Sequence, residues 1–263
     1  GKGLIRHALI RYGFKTKEIM VCLVVNGKKL PKAERLIENL IQIEGMTSIT
    51  ISPNTRRDNV IMGDSYEILW GQGYITDYIG EVKFQISPLS FYQVNRVQTE
   101  KLYAIAKEYA GLTGEEILLD LYCGTGTIGL SMAHQAKKLI GVEVIEAAVD
   151  NARKNAQVNG IENAEFICGD AANAAEMLEQ QGLRPNVIVI DPPRKGCDQS
   201  LIKTISRMAP DRVVYVSCDP ATLARDLKWF TEEGYMPQEV TPVDMFPRTA
   251  HIETCVLLQR KTM

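Results

Sequence analysis

The sequence predicts an α/β fold: a Rossmann-like, mostly parallel seven-stranded sheet with a terminal antiparallel hairpin, preceded by a smaller α+β domain. Three observations carry this. From Ile117 onward, short apolar runs alternate with helical stretches, as in a doubly wound sheet with right-handed crossovers. A glycine-rich turn, Asp120-Leu-Tyr122-Cys-Gly124-Thr-Gly126, stands between the first of these runs and the helix after it. The final two strand-like runs are joined by a short Pro-containing segment, which suits an antiparallel pair.

The first 90 residues have a different grammar. Leu4–Tyr12 and Glu18–Val25 read as strands joined by the polar turn Lys15-Thr-Lys17, and Asn26-Gly27 is a second turn signal. Pro31–Ile43 reads as a helix with proline in its first turn. Short strands follow, broken at Pro53-Asn54, Gly63-Asp64 and Gly71-Gln-Gly73. The change of pattern near Ser87-Pro88 divides the chain into residues 1–88 and 89–263.

In the second part, Ile117–Leu121, Lys138–Glu143, Ala164–Cys168, Val187–Ile190 and Arg212–Ser217 read as strands. Ile128–Gln135, Glu146–Val158, Ala171–Gln181, Gln199–Met208 and Pro220–Thr231 read as the intervening helices. Tyr235–Val243 and His251–Gln259 form the expected hairpin.

Composition narrows the class. The 263 residues are 45% hydrophobic and 24% charged, ordinary for a globular protein. No apolar run reaches the roughly 18–20 residues of a membrane span, and the start lacks the apolar core of a signal peptide. None of the six cysteines forms a Cys-x-x-Cys pair, so no metal is expected and the thiols read as reduced in a cytoplasmic protein. Net charge is −2 but unevenly spread: residues 1–90 carry 12 Lys+Arg against 9 Asp+Glu, a net of +3. A basic front half can contact phosphate.

The chemistry lies at predicted strand tips. Gly124 and Gly126 let the backbone pass close to a ligand at a helix N-terminus, and Glu143 ends the next strand, where a carboxylate can accept from ribose hydroxyls. A dinucleotide fold satisfies the same pattern. Asp191-Pro192-Pro193 at the fourth strand tip resembles instead the strand-tip motif of S-adenosylmethionine-dependent methyltransferases. Cys218 ends the fifth strand just before a helix opened by Pro220, a place where a thiol pKa can fall. Glu253 follows 35 residues later, alternating with His251 and Cys255. His251 reads as a structural hydrogen-bonding residue.

Five stretches together resemble the RNA uracil-5-methyltransferase family, in its order and over roughly residues 88–258. They are Ser90-Phe91-Tyr92-Gln93-Val94-Asn95, the run Leu119–Gly126, Asp191-Pro192-Pro193-Arg194-Lys195-Gly196, the run Ser217–Asp226, and the run Asp244–Thr254. The resemblance is greatest to the bacterial 23S ribosomal RNA branch; it implies a class I methyltransferase fold, with residues 1–88 as a central, RNA-contacting domain and residues 89–263 as the S-adenosylmethionine-dependent catalytic domain. It also implies that Gln93, Tyr122, Gly124, Gly126, Glu143, Asp170 and Asp191 bind S-adenosylmethionine. By the same resemblance Cys218 is the nucleophile and Glu253 the general base, while Asp191 also helps hold the uracil edge. A uracil reached by both thiol and methyl donor must leave the RNA stack. Arg194, Lys195, Arg225 and Arg248, near the motif tips, are expected RNA contacts. A monomer is expected.

Family members usually carry an N-terminal TRAM barrel, and many carry a four-cysteine iron–sulfur cluster. Neither is in this chain, so the expectation is a shortened form with impaired RNA affinity. Four alternatives stay open: a transfer RNA substrate, a cytosine-5 enzyme, an exocyclic-nitrogen methyltransferase and an inactive cofactor- and RNA-binding fragment. The cytosine-5 reading expects Pro-Cys where this chain has Pro192-Pro193, and the exocyclic-nitrogen reading expects an aromatic residue where it has Arg194.

Overall fold

The computed structural model describes residues 3–261. They divide into two compact units. One runs through Tyr78 and includes Lys83–Tyr92; the other comprises Ile79–Val82 and the chain from Gln93 onward.

The first unit is built on a four-stranded sheet of β1 (Ile5–Tyr12), β2 (Ile19–Val25), β3 (Met46–Pro53) and β4 (Glu67–Gly71), in that order. β2 and β3 are parallel, bridged by helix α1 (Ala33–Leu40), and the outer pairs are antiparallel. Val21, Leu23, Val25 and Ile51 form its core, with Leu36 and Leu40 of α1 packed against them. This helix is shorter than the predicted Pro31–Ile43. Lys32 takes a left-handed conformation (φ 55°) and cannot extend the helix, and residues 41–43 close in turns. β5 (Ile75–Ile79) and β6 (Val82–Ile86) make a separate hairpin.

The second unit opens with helix α2 (Arg96–Ala110), which the apolar pattern alone does not announce. Its signal is at its ends: the Asn95 side chain accepts from the Gln98 amide, and Gly111 adopts the left-handed C-cap conformation. The alternating elements then follow as predicted: β7 (Ile117–Leu121), α3 (Thr127–Met132) with a 3-10 turn at Ala133–Gln135, β8 (Lys138–Glu143), α4 (Glu146–Val158), β9 (Ala164–Cys168), α5 (Ala171–Gln180), β10 (Val187–Ile190), α6 (Gln199–Met208), β11 (Arg212–Ser217) and α7 (Pro220–Glu232). β12 (Tyr235–Val243) and β13 (Glu253–Arg260) complete the sheet. Its order is β12-β13-β11-β10-β7-β8-β9, parallel except around β13. β13 begins at Glu253 rather than His251, because the His251 amide turns to the Thr249 hydroxyl and leaves the ladder.

A buried carboxylate fastens α7 to the sheet. Asp226 is fully buried and accepts from the Tyr215 hydroxyl (2.7 Å), the Cys197 amide (2.7 Å) and the Arg225 guanidinium (2.7 Å). Tyr215, Phe230 and Tyr235 continue the anchor as an edge-to-face chain of rings. We expect Asp226→Ala to strand these donors and lower stability by about 3–5 kcal/mol in urea unfolding. A loss below about 1 kcal/mol would remove Asp226 from this role.

Candidate active site

Strand order decides which side chains meet. β7, β8 and β9 run to one side, and β10 returns to the other side of β7, so the chain reverses direction between β7 and β10. A crevice at the carboxyl ends of parallel strands opens at such a point. The residues at that edge stand in one row, in strand order: Glu253 at the start of β13, Cys218 after β11, Asp191 after β10, Tyr122 after β7, Glu143 at the end of β8 and Asp170 after β9. With strands about 4.8 Å apart, the row spans roughly 24 Å.

The thiol and the base come together through register. Ser217 pairs with Thr254 across antiparallel β11 and β13, so Cys218 and Glu253 are the next facing positions. Glu253 is buried and Cys218 half-buried. Asp219 caps α7 by accepting from the Ala221 and Thr222 amides, which sets Cys218 just ahead of a helix N-terminus. The sequence reading expected that position to depress the thiol pKa, and the structure reverses the sign. Burial raises it first, and Glu253 and Asp191 raise it further; the Cys218 amide and Arg194 oppose them without prevailing. Burial also lifts the Glu253 carboxyl, against Arg194. Asp191 is held well above the usual carboxylate range by burial, then by Glu253 and Asp120.

The glycine turn is held by carboxylates on both sides. Glu143 accepts from the Gly124 amide (3.1 Å) and the Ile145 amide (2.9 Å), one on each oxygen, so each oxygen keeps a lone pair for a ligand hydroxyl. Asp120 accepts from the Gly129 amide (2.9 Å) through one oxygen, while its other oxygen is buried with no hydrogen-bond partner among the described residues. Gly124 has φ 55°, and a side chain there would project into open space, which leaves room for a ligand against the backbone. Tyr122 holds φ 65°, a strained value that a non-glycine residue keeps where the surroundings impose it. Asp170 uses its carboxylate to cap α5. Val144 and Ile145 remain exposed beside Glu143 and offer apolar surface that the sequence reading overlooked. Open backbone, a carboxylate with free lone pairs and adjacent apolar surface fit a nucleoside with a ribose diol.

The basic residues separate into different surroundings. The Arg194 guanidinium acts electrostatically on both Cys218 and Glu253, and its carbonyl accepts from the Thr222 hydroxyl. Lys195 and Arg248 are exposed, Arg248 in a left-handed turn. Arg225 is exposed but tethered: it pairs with Asp226, donates to the Lys195 and Cys197 carbonyls, and stacks on Trp229 at 4.7 Å. The same turn requires Gly196, since a side chain at φ 75° would strike the Asp226 carboxylate and the Arg225 guanidinium.

One link was absent from the sequence reading. Asn95, besides capping α2, donates to the Met245 carbonyl at 3.0 Å. It thereby ties the segment after Gln93, itself half-buried, to the loop that leads into Glu253.

Residues 67–261 match the model of the tRNA (uracil-5-)-methyltransferase family. The chain belongs to this family. Among curated relatives, it is 52% identical over 99% of its length to a Clostridium acetobutylicum protein, and 51% identical over 99% to one from Halalkalibacterium halodurans; both are named uncharacterized RNA methyltransferases. It spans 57% of the length of each. Among solved structures, it is similar to Pyrococcus abyssi tRNA (uracil-54, C5)-methyltransferase in complex with S-adenosyl-L-homocysteine. That likeness has a TM-score of 0.82 and 32% identity, covering 98% of this chain and 60% of the other. The tRNA m1G37 methyltransferase of M. jannaschii shares the fold at a TM-score of 0.61 and 14% identity, over 100% of this chain and 77% of its own. The fold of this uracil-5-methyltransferase family member is thus that of the class I methyltransferases.

Two outcomes are expected. Alkylation of Cys218 by iodoacetamide in the free protein, followed by peptide mass spectrometry, should still accelerate at pH 9, the ordinary thiol value. A plateau below pH 8 would mean that Arg194 and the helix terminus dominate. Separately, burial raises Asp120 from 3.8 to about 7. Its contribution to stability is complete below pH 4 and is lost as pH rises through 7. Relative to wild type, Asp120→Asn should therefore gain up to about 4 kcal/mol between pH 4 and 8. Parallel stability curves would contradict this.

Proposed function

We propose that this chain is the catalytic part of an RNA (uracil-5-)-methyltransferase acting on 23S ribosomal RNA, with S-adenosylmethionine as methyl donor and 5-methyluridine as product. The observation that carries the reading is the facing of Cys218 and Glu253 across β11 and β13, beside Asp191 at the switch point. Family membership and the class I fold support the cofactor, which Gln93, Tyr122, Gly124, Gly126, Glu143, Asp170 and Asp191 would hold. When bound, S-adenosylmethionine supplies an electrophilic methyl group on a cationic sulfonium.

The chain's own residues account for the remaining steps. The Cys218 thiol first gives its proton to solvent; its Sγ then forms a bond to uracil carbon 6, and the electron pair of the ring double bond moves to carbon 5 as an enolate. Carbon 5 takes the methyl group, and the electron pair of the broken methyl–sulfur bond would stay on the donor sulfur, leaving it a neutral thioether. Glu253 then removes the carbon 5 proton; its raised pKa makes it a better base than an exposed carboxylate. The electron pair left on carbon 5 re-forms the double bond and expels the Cys218 thiolate. Arg194 steadies the anionic thiolate and carboxylate, and Asp191, whose surroundings push it toward the neutral carboxyl, holds the uracil edge. Arg194, Lys195, Arg225 and Arg248 would contact phosphate, and Arg225 also braces the loop that carries Arg194 and Lys195.

The likeness to the P. abyssi transfer RNA enzyme supports a second substrate reading. One experiment addresses both. The protein is incubated with S-adenosylmethionine and a 5-fluorouridine-containing 23S fragment or transfer RNA, and denaturant-stable adducts are weighed. Fluorine cannot leave as a proton, so a methylated adduct at Cys218 is expected with the ribosomal fragment. An adduct with transfer RNA alone would transfer the assignment. Cys218→Ala should lose the adduct and keep cofactor binding, and Glu253→Gln should accumulate adduct on ordinary uridine. Normal turnover by either variant would reject its assigned role.

A further inference from the structure

The first unit contains a built basic cavity that the chemistry above does not use. Its volume is about 820 Å³, and Arg6, His7, Asn26, Thr55, Arg56 and Arg57 line it, with Asp58 at the same site. Three features of the fold bring these groups together. The register of β1 against β2 slips between Ile5 and His7, so Arg6 is the extra residue of a bulge, a device that re-aims a side chain. The buried Asn54 shapes the loop after β3: its amide nitrogen donates to the carbonyls of Val60 (2.8 Å), Ile61 (3.0 Å) and Met62 (3.3 Å), and its side-chain oxygen accepts from the Arg56 amide (2.9 Å). Arg6 is locked to that loop by donating to the Asn54 carbonyl at 2.6 Å.

The charges are only partly neutralised within the fold. Arg56 is paired with Asp64, and Asp58 accepts from the Val60 amide. Arg57 and His7 have no partner among the described residues. Guanidiniums lining one concave, polar surface together with Asn26 and Thr55 have the donor chemistry that phosphodiester oxygens accept from.

We propose that this cavity binds the phosphate backbone of the RNA substrate, as a docking site on the first unit separate from the strand-tip row. The inference rests on the RNA reading above, and the experiment separates the two. Fluorescence anisotropy measures binding of a single-stranded, uridine-containing RNA oligonucleotide across a salt series, for wild type, Arg57→Gln and the double variant Arg57→Gln/His7→Gln. Lys29→Gln serves as control, with the same charge change outside the cavity. Loss of one phosphate contact should weaken binding several-fold and lower the slope of log affinity against log salt by roughly 0.7. Binding of S-adenosylhomocysteine should not change. In turnover, KM for RNA should rise and kcat should hold.

Wild-type slopes in the cavity variants, or an equal loss in Lys29→Gln, would overturn the docking site while leaving the RNA reading intact. If the wild type neither binds the oligonucleotide nor forms the 5-fluorouridine adduct, the RNA reading itself fails and the docking site with it.

Discussion

The pairing of β13 against β11 is the constraint on which the rest of the site depends. Cys218 and Glu253 are distant in sequence, on strands of opposite direction, and only the Ser217–Thr254 register makes them face each other. A one-residue slip would turn every side chain of β13 to the other face of the sheet. Several arrangements protect that register. β12 flanks β13 along most of its length, the Asp226 anchor fixes α7 behind β11, and Asn95 holds the loop that delivers Glu253 to its first position. These residues touch none of the proposed reacting atoms, yet they determine where those atoms lie.

The site is also an electrostatic compromise. Asp191, Glu253 and Cys218 share a partly buried edge, and each is pushed toward its neutral form. Arg194 opposes this for both the thiol and Glu253. A row of acidic groups that gives up charge at rest is poised for a cation, and a cationic methyl donor would restore the balance.

Much of this was legible in the sequence because its signals are local. Alternating runs located the strands of the second unit within two residues and the helices between them within three, and the motifs from Asp120 to Asp226 fell at strand tips. Features set by distant contacts were not legible. Helix α2 carries its evidence in its caps, α1 is cut short by the left-handed Lys32, and the direction of the Cys218 shift depends on carboxylates brought in by two other strands. Arg225 is a surface cation, as its sequence suggests, but its bonds to the Lys195 and Cys197 carbonyls join residues far apart in sequence and were not legible.

The raised thiol has a consequence for durability. Sulfur is oxidised through its thiolate, and peroxide attacks a protonated thiol slowly. The burial and the two carboxylates that keep Cys218 protonated therefore shield it from sulfenic acid formation while the protein is idle.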